Sequence, residues 1–366
     1  MAIKPGIGRK SNKNPPILSH EFVIQNHADI VSCVAMVFVV GLMLQATSSI
    51  ASVFISLHHN VSGADPSHEN PRGEPYFYQQ GIKDYCAIFF YTLICIIMHA
   101  ILQEYVLDKI SKKLHLSKFK LNRFNESGQL VVFYAMSFLW GIQVIIREAY
   151  IPHYSSLWEG FPDHPMSFLH KMFYIVQLSY YLHMLPELYF QRVKQEDQQP
   201  KIIHAIVGFS LVAAAYFLSF QRIALILLTV HYLGEFISHT FQLIGIFDKD
   251  EKYSKLNLLN SAVFISVRGA SVALAVFTLY YGLTISAKSA RGLIALAGFG
   301  AVQAALVFAF FAEAIRARRE RAPETKQPSQ KKVKPAKSEK PKKKKESDLP
   351  EADQSPKPVQ GKLKSK

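Results

Sequence analysis

An all-α, polytopic transmembrane helix bundle of about eight spans is predicted by three observations. The sequence holds eight long apolar runs, its basic residues collect between alternate runs, and its composition suits no single soluble globule. Of the 366 residues 49% are hydrophobic, yet the formal charge is +15. Segregation reconciles the two figures. The last 51 residues, from Arg316, carry 18 Lys and Arg against 7 acids, and the rest of the chain is apolar and close to neutral. A soluble enzyme, a secreted disulfide scaffold and a nucleic-acid-binding globule are excluded as the main reading.

The first 29 residues form a polar arm with four basic residues and Pro15-Pro16, too polar for a cleavable signal, so the first apolar run is read as an uncleaved anchor. Apolar runs follow at about 30–57, 84–107, 129–146, 168–190, 202–220, 223–247, 258–285 and 292–315, each long enough for the roughly 20 residues, within a range of about 17–25, that a bilayer core requires. The first two spans lie within 30–116, joined by an outer loop at 58–83, and six spans within 117–315 form the main membrane domain. Residues 316–366 are rich in Lys, Pro, Ser and Glu. Such a tail cannot bury enough apolar surface to offset its ordering entropy and is predicted disordered.

Orientation follows from Lys and Arg. With the N-terminus in the cytosol and loops alternating, 34 basic residues fall on the cytosolic side, seven on the other, and Arg268 within a span. Both termini are therefore predicted cytosolic. The sequon Asn60-Val61-Ser62 then lies in the first outer loop, where Asn60 is a glycosylation candidate, whereas Asn125-Glu126-Ser127 lies on the cytosolic side. Cys33, Cys86 and Cys95 sit in or beside apolar runs and are expected to be free, buried thiols. In the tail, Lys342, Lys343, Lys344 and Lys345 form a basic block. It reads either as attraction to anionic headgroups or ribosomal RNA, or as a solvated segment that only enforces topology. Lys362 and Lys364, in the closing Lys-Leu-Lys-Ser-Lys, resemble a dilysine retrieval signal of the endoplasmic reticulum.

Ionisable side chains inside spans cost several kcal/mol and should face a bundle interior or a cavity. The sixth span carries His231, Glu235 and His239, four residues apart and hence on one helical stripe. The fourth carries His183 and Glu187, the fifth opens with His204, the seventh holds Arg268, and the second adds His99 and Glu104. Three readings compete: interhelical hydrogen bonding with Arg268 neutralising Glu235, a polar groove that receives a lipid headgroup or a hydrophilic part of a polypeptide, or chemistry at a His base or metal. No HExxH pattern, phosphate-binding loop, dinucleotide fingerprint or nucleophile elbow is present, and no metal or cofactor is expected. Gly298-Phe299-Gly300 reads as a helix-packing face.

Several stretches carry a family resemblance. They include Asn14-Pro15-Pro16-Ile17-Leu18-Ser19-His20-Glu21-Phe22, Gln25-Asn26-His27-Ala28-Asp29-Ile30-Val31-Ser32-Cys33, Gly81-Ile82-Lys83-Asp84, Gln103-Glu104-Tyr105-Val106-Leu107-Asp108-Lys109-Ile110 and Phe124-Asn125-Glu126-Ser127-Gly128-Gln129. Further on come Leu182-His183, Pro186-Glu187-Leu188-Tyr189-Phe190-Gln191, His231-Tyr232 with Glu235, and Asp250-Glu251-Lys252-Tyr253. Across most of 14–285 the chain resembles the translocating chain-associated membrane protein family, within the TLC-domain group that also includes ceramide synthases. The resemblance implies a TLC-type fold, an endoplasmic-reticulum location, and contact with the Sec translocon, nascent polypeptides, signal sequences and membrane lipids. The basic tail adds the ribosome as a partner; DNA is excluded. Ceramide synthases use an adjacent His pair and a following His-Asp pair with a further Asp. Here Ile203-His204 has one His, and His231-Tyr232 has Tyr where the Asp would stand, with Glu235 near the place of the later Asp. The departures argue against acyl transfer. The expected function is an accessory to the insertion or lateral exit of signal sequences and transmembrane segments. The alternatives are a TLC-group lipid-binding protein or sphingolipid acyltransferase, and a regulator of bilayer thickness.

Overall fold

The computed structural model describes Pro16 and residues 19–64, 73–247, 254–282 and 290–321. The chain divides into two compact units, Met1–Ala312 and Glu313–Lys366; of the second, only the end of the last helix lies among the described residues. The basic block at Lys342, Lys343, Lys344 and Lys345 and the Lys362 and Lys364 signal lie outside them.

The helices in order are α1 His20–Gln25, α2 His27–Met43, α3 Ser48–Ile55, α4 Asp84–Ile101, α5 Asp108–Leu114, α6 Lys118–Arg147, α7 Phe168–Phe190, α8 Gln195–Phe217, α9 Gln221–Phe247, α10 Ser254–Ala275 and α11 Ala290–Arg321. A π-helical turn, Leu102–Leu107, joins α4 to α5, and another, Val276–Gly282, extends α10. Among the described residues, six helical stretches are long and apolar enough to cross a membrane: Asp84–Leu114, Lys118–Arg147, Gln198–Phe217, Gln221–Phe247, Leu258–Tyr280 and Gly292–Arg316. A shorter apolar helix, His27–Met43, accompanies them.

Two of the expected spans depart from this set. The run 30–57 is not one helix: α2 ends at Met43, and α3 folds back so that Phe54 meets Phe38 with ring centroids 4.7 Å apart. On a continuous helix those two residues would stand about 24 Å apart at 1.5 Å per residue. The break falls in Leu44-Gln45-Ala46-Thr47, where Thr47 Oγ1 donates to the Gly41 carbonyl (2.8 Å) and so competes with helical bonding. A run of that length also exceeds the bilayer core, and the re-entrant α3 takes up the surplus. The run 168–190 forms α7 at crossing length but is too polar to count among the six. The reason is its position, because His170, Lys171, Gln177, Ser179, His183 and Glu187 are all buried. α7 packs against both α4 and α8, as an interior helix of the bundle.

The core lies among α6, α7, α8 and α9 and is rich in aromatic side chains, with Tyr134, Phe173, Tyr174, Tyr216 and Tyr232 buried. Each tyrosine hydroxyl there has a partner. Tyr174 donates to the Gln221 carbonyl (2.6 Å), Tyr216 to Asp84 Oδ2 (2.7 Å) and Tyr232 to Gln177 Oε1 (2.9 Å), and Tyr134 shares a hydrogen bond with His204 Nε2 (3.4 Å). Moving such a ring from lipid to protein brings little hydrophobic gain, so close packing and these bonds hold the helices together. Gly141 and Gly208 permit the approach: a Cβ at the first would lie 2.2 Å from Thr229 Oγ1 and at the second 2.3 Å from the Tyr181 ring. Of the packing face expected at Gly298-Phe299-Gly300, Phe299 packs against the core, but among the described residues a Cβ at either glycine meets nothing within 4 Å. The thiols are free as expected, but Cys33 is exposed and Cys86 and Cys95 are only half-buried.

One face of the bundle carries a small cap that an all-α expectation omitted. Strands β1 Asn60–Ala64, β2 Glu74–Tyr78 and β3 Met166–Ser167 pair antiparallel in that order. The cap is tied to the helices by Lys171, counted in the sequence among the outer-loop charges but here wholly buried. Its ammonium bonds Asp84 Oδ1 (2.8 Å) and the carbonyls of His58 (2.8 Å) and Gln79 (2.7 Å). At its far end α11 runs through Arg321, beyond the boundary at 316 where the disordered tail was expected to begin. The stretch Ala-Arg-Arg-Glu-Arg is strongly helix-forming, and cations at a helix C-terminus complement its dipole.

The loop 148–165 closes over this face. Arg222 pins it by donating to the carbonyls of Ser156 (2.7 Å), Glu159 (3.3 Å) and Pro165 (3.4 Å). Within the loop His164 is only 4% exposed, and burial together with the Arg222 charge pushes its imidazole down to about 4. A folded-state value below the unfolded one means that the unfolded state binds the extra proton first, so stability falls as pH drops from about 6.5. Amide protection factors in 148–165, which correct for the slower intrinsic exchange at low pH, are expected to fall between pH 7 and pH 4.5. In His164→Phe that fall is expected to shrink.

Candidate functional site

The polar residues predicted inside the membrane do not form one constellation. The structure sorts them into two clusters, on different helices.

The larger cluster draws on α6, α8, α9, α10 and α11. At its centre Arg268 Nη2 donates to Glu235 Oε1 (2.6 Å) and to His231 Nδ1 (3.0 Å), while Nη1 donates to Gln303 Oε1 (3.4 Å). His239 sits one turn along, with Nε2 4.0 Å from Glu235 Oε2 and Nδ1 3.2 Å from Gln242 Oε1. Ser127 from α6 also donates to Gln242 (3.1 Å). Tyr134 closes the inner side, stacked on His239 with ring centroids 5.6 Å apart and bonded to His204. Thus His204, His231, Glu235, His239 and Arg268 belong together.

Two features set the chemistry here. Guanidinium nitrogens only donate, so His231 Nδ1 must be an acceptor and its proton resides on Nε2. The imidazole is then a hydrogen-bond donor on its free side, the wrong tautomer for abstracting a proton there. The second feature is exposure. The Arg268 side chain is 4% exposed, whereas those of Glu235, His231 and His239 are 21%, 20% and 15% exposed. The cation lies behind, and the carboxylate and imidazoles face outward. Among the described residues, no group of three His, Cys, Asp or Glu is arranged to hold a metal ion.

His183 and Glu187 stand apart, between α7 and α4. Glu187 Oε1 lies 3.4 Å from His99 Nε2 and accepts from Gln191 (3.0 Å), and the His183 and His99 rings are 5.6 Å apart. Gln129 donates to the His99 carbonyl (3.0 Å) and to Gln103 Oε1 (3.3 Å). This is a packed glutamine-histidine knot joining α4, α6 and α7. Glu104, grouped with His99 in the sequence, is exposed.

Sequence reasoning passed over Tyr134, Gln242 and Gln303 in the first cluster, and it noted Gln103, Gln129 and Gln191 of the second only within the stretches that carry the resemblance. All are uncharged, so a search for ionisable residues in apolar runs does not find them. Only Gln242 carried a usable signal, lying three residues beyond His239 on the same helical face. Asn60 is exposed at the start of β1, and Asn125 lies within helix α6 with its Oδ1 buried. The acceptor geometry of the two sequons therefore differs as their expected placement does.

The fold defines a multi-pass helical membrane protein with a polar cluster among the helices of its C-terminal half. A family model described as "TLC domain" matches residues 123–312. Translocating chain-associated membrane protein 2 of Homo sapiens is 42% identical over 275 residues, which cover 75% of this chain and 72% of that protein. The Mus musculus protein of the same name matches at the same identity and length. The chain belongs to the translocating chain-associated membrane protein family, in the TLC-domain group. Similarity to an acylating enzyme is more distant: ceramide synthase 4 of Bos taurus is 27% identical over 146 residues, covering 40% of this chain and 37% of that one.

Proposed function

We propose that this protein is a non-enzymatic accessory of the Sec translocon in the endoplasmic-reticulum membrane. On this reading it contacts nascent secretory and membrane chains and eases the entry or lateral exit of signal sequences and transmembrane segments into lipid. The observation that carries the reading is the outward-facing side of the Glu235–Arg268 cluster. A charged residue near the centre of a span costs about 2.5–3.5 kcal/mol on insertion scales. A polar surface of this kind, beside the lipid, offers such a residue an intermediate environment. The relatives' name agrees with it, and the His231 tautomer speaks against the acyltransferase alternative.

Photocrosslinking tests the proposal. A probe is placed in the signal sequence of a stalled nascent chain, in membranes containing this protein. An adduct that strengthens as the signal becomes less hydrophobic is expected. Crosslinks to the channel alone, at every signal strength, would sink the proposal.

The proposal includes a six-helix TLC-type domain over 117–315, both termini in the cytosol, and a cytosolic tail whose Lys342–Lys345 block meets anionic headgroups or the ribosome. It places the cap and Asn60 in the lumen. A glycosidase-sensitive mobility shift is then expected that Asn60→Gln abolishes and Asn125→Gln leaves in place. A shift lost only in the second variant reverses the orientation.

A further inference from the structure

The two oxygens of the Glu235 carboxylate are not equivalent. Oε1 accepts from Arg268 at 2.6 Å and lies 3.6 Å from His231 Nδ1. No hydrogen bond to Oε2 is made among the described residues, and His239 Nε2 stands 4.0 Å from it. The carboxylate is also open to the outside, in contrast with the guanidinium that neutralises it. A carboxylate oxygen without a donor is costly in a medium that cannot supply one. Arg268 itself cannot serve an incoming anion, because its Nη atoms are committed to Glu235, His231 and Gln303 and its Nε is buried. The two histidines beside the carboxylate, His231 and His239, add no fixed positive charge on the outward side when neutral.

We infer that Glu235 Oε2 is a receptor for a cationic side chain, the ammonium of Lys or the guanidinium of Arg, carried by a transmembrane segment lying against the bundle. The inference rests on the proposed contact with nascent chains and adds a sign to it: the site takes basic residues and rejects acidic ones. A passing Lys would complete the second lone pair of a carboxylate already held in place by Arg268. A passing Asp would face that same carboxylate, and the guanidinium, whose Nε has no partner but is buried, lies behind it.

The test uses the full chain in proteoliposomes with the translocon, first in phosphatidylcholine alone. Stalled nascent chains carry the same apolar segment with Ser, Lys or Asp at its centre and a photoprobe one turn away. An adduct with the Lys segment at least 5-fold stronger than with the Asp segment is expected. The Lys-to-Asp ratio is expected to fall to about 1 in Glu235→Gln. It is expected to fall likewise in Glu235→Gln/Arg268→Gln, which leaves no buried charge uncompensated and so guards against misfolding. Glu104→Gln, an exposed carboxylate on another helix, should retain the preference. Equal adducts from Lys and Asp segments in the unmodified protein would overturn the inference while leaving translocon contact intact; no adduct even from the Ser segment would remove the contact itself. A preference that disappears when phosphatidylethanolamine is included would assign Oε2 to a lipid amine and overturn the polypeptide assignment.

Discussion

Lys171→Met is expected to destabilise the protein by about 3–5 kcal/mol, the range for breaking a buried ion pair from one side. The lysine and its partner Asp84 are 0% and 1% exposed, so the remaining carboxylate has no access to water. The loss is not confined to one bond. Lys171 also satisfies the carbonyls of His58 and Gln79, which flank the β1–β2 hairpin, and Asp84 accepts from Tyr216 and from the Gly81 amide. The pair therefore joins the cap, the start of α4, the start of α7 and the end of α8. Asp84→Asn/Lys171→Met should recover part of the loss, because the amide oxygen can still accept from Tyr216 and no net charge is left behind. The measurement is the thermal midpoint in detergent, with protease sensitivity of the β1–β2 hairpin as a second readout. If the single and double variants melted together, the carboxylate would be reaching water and the pair would not be a structural tie.

The helices of this bundle were legible because apolar length and charge segregation are properties of single segments. α4, α8, α9, α10 and α11 follow their apolar runs closely, whereas α6 begins at Lys118, well ahead of its run at 129–146. α7 shows where that logic weakens: an interior helix trades apolar residues for buried partners, and hydropathy cannot tell His183 bonded inside from His183 facing water. The re-entrant α3 was hidden for a related reason. Its apolar residues continue those of α2 without a gap, and only Thr47 and its neighbours mark the turn. The site was legible in part. The spacing of His231, Glu235 and His239 placed them on one stripe, and the pairing of Arg268 with Glu235 followed from charge alone. What no single segment could show is which stripes face one another. His183 and Glu187 have the same four-residue spacing, yet they join His99 on α4 rather than the α9 cluster. Lys171 is the clearest case, since a basic residue at the edge of a span is ordinarily a solvated topology signal.

Glu235→Leu is expected to cost more than Arg268→Leu, about 3–5 kcal/mol against roughly half that, although each removes one end of the same pair. Exposure and chemistry act in the same direction. Arg268 is the more deeply buried partner, and a guanidinium left behind cannot shed its charge. A carboxylate left behind lies partly open and can neutralise itself by taking up a proton. Arg268→Leu also frees His231 Nδ1 and Gln303 Oε1, but neither is charged, so each adds only the cost of an unmet acceptor. The double variant Arg268→Leu/Glu235→Leu removes both charges and is expected to melt near the unmodified protein. Thermal midpoints of the four proteins, read as a double-mutant cycle, give the coupling between the two side chains. The double variant then separates two roles that the single variants confound. If the pair were only glue between α9 and α10, a folded double variant would still crosslink weak signal sequences as the unmodified protein does. Folded protein with that adduct lost is the expected result, and it would place the polarity of the cluster, not the packing it supports, in the path of the client.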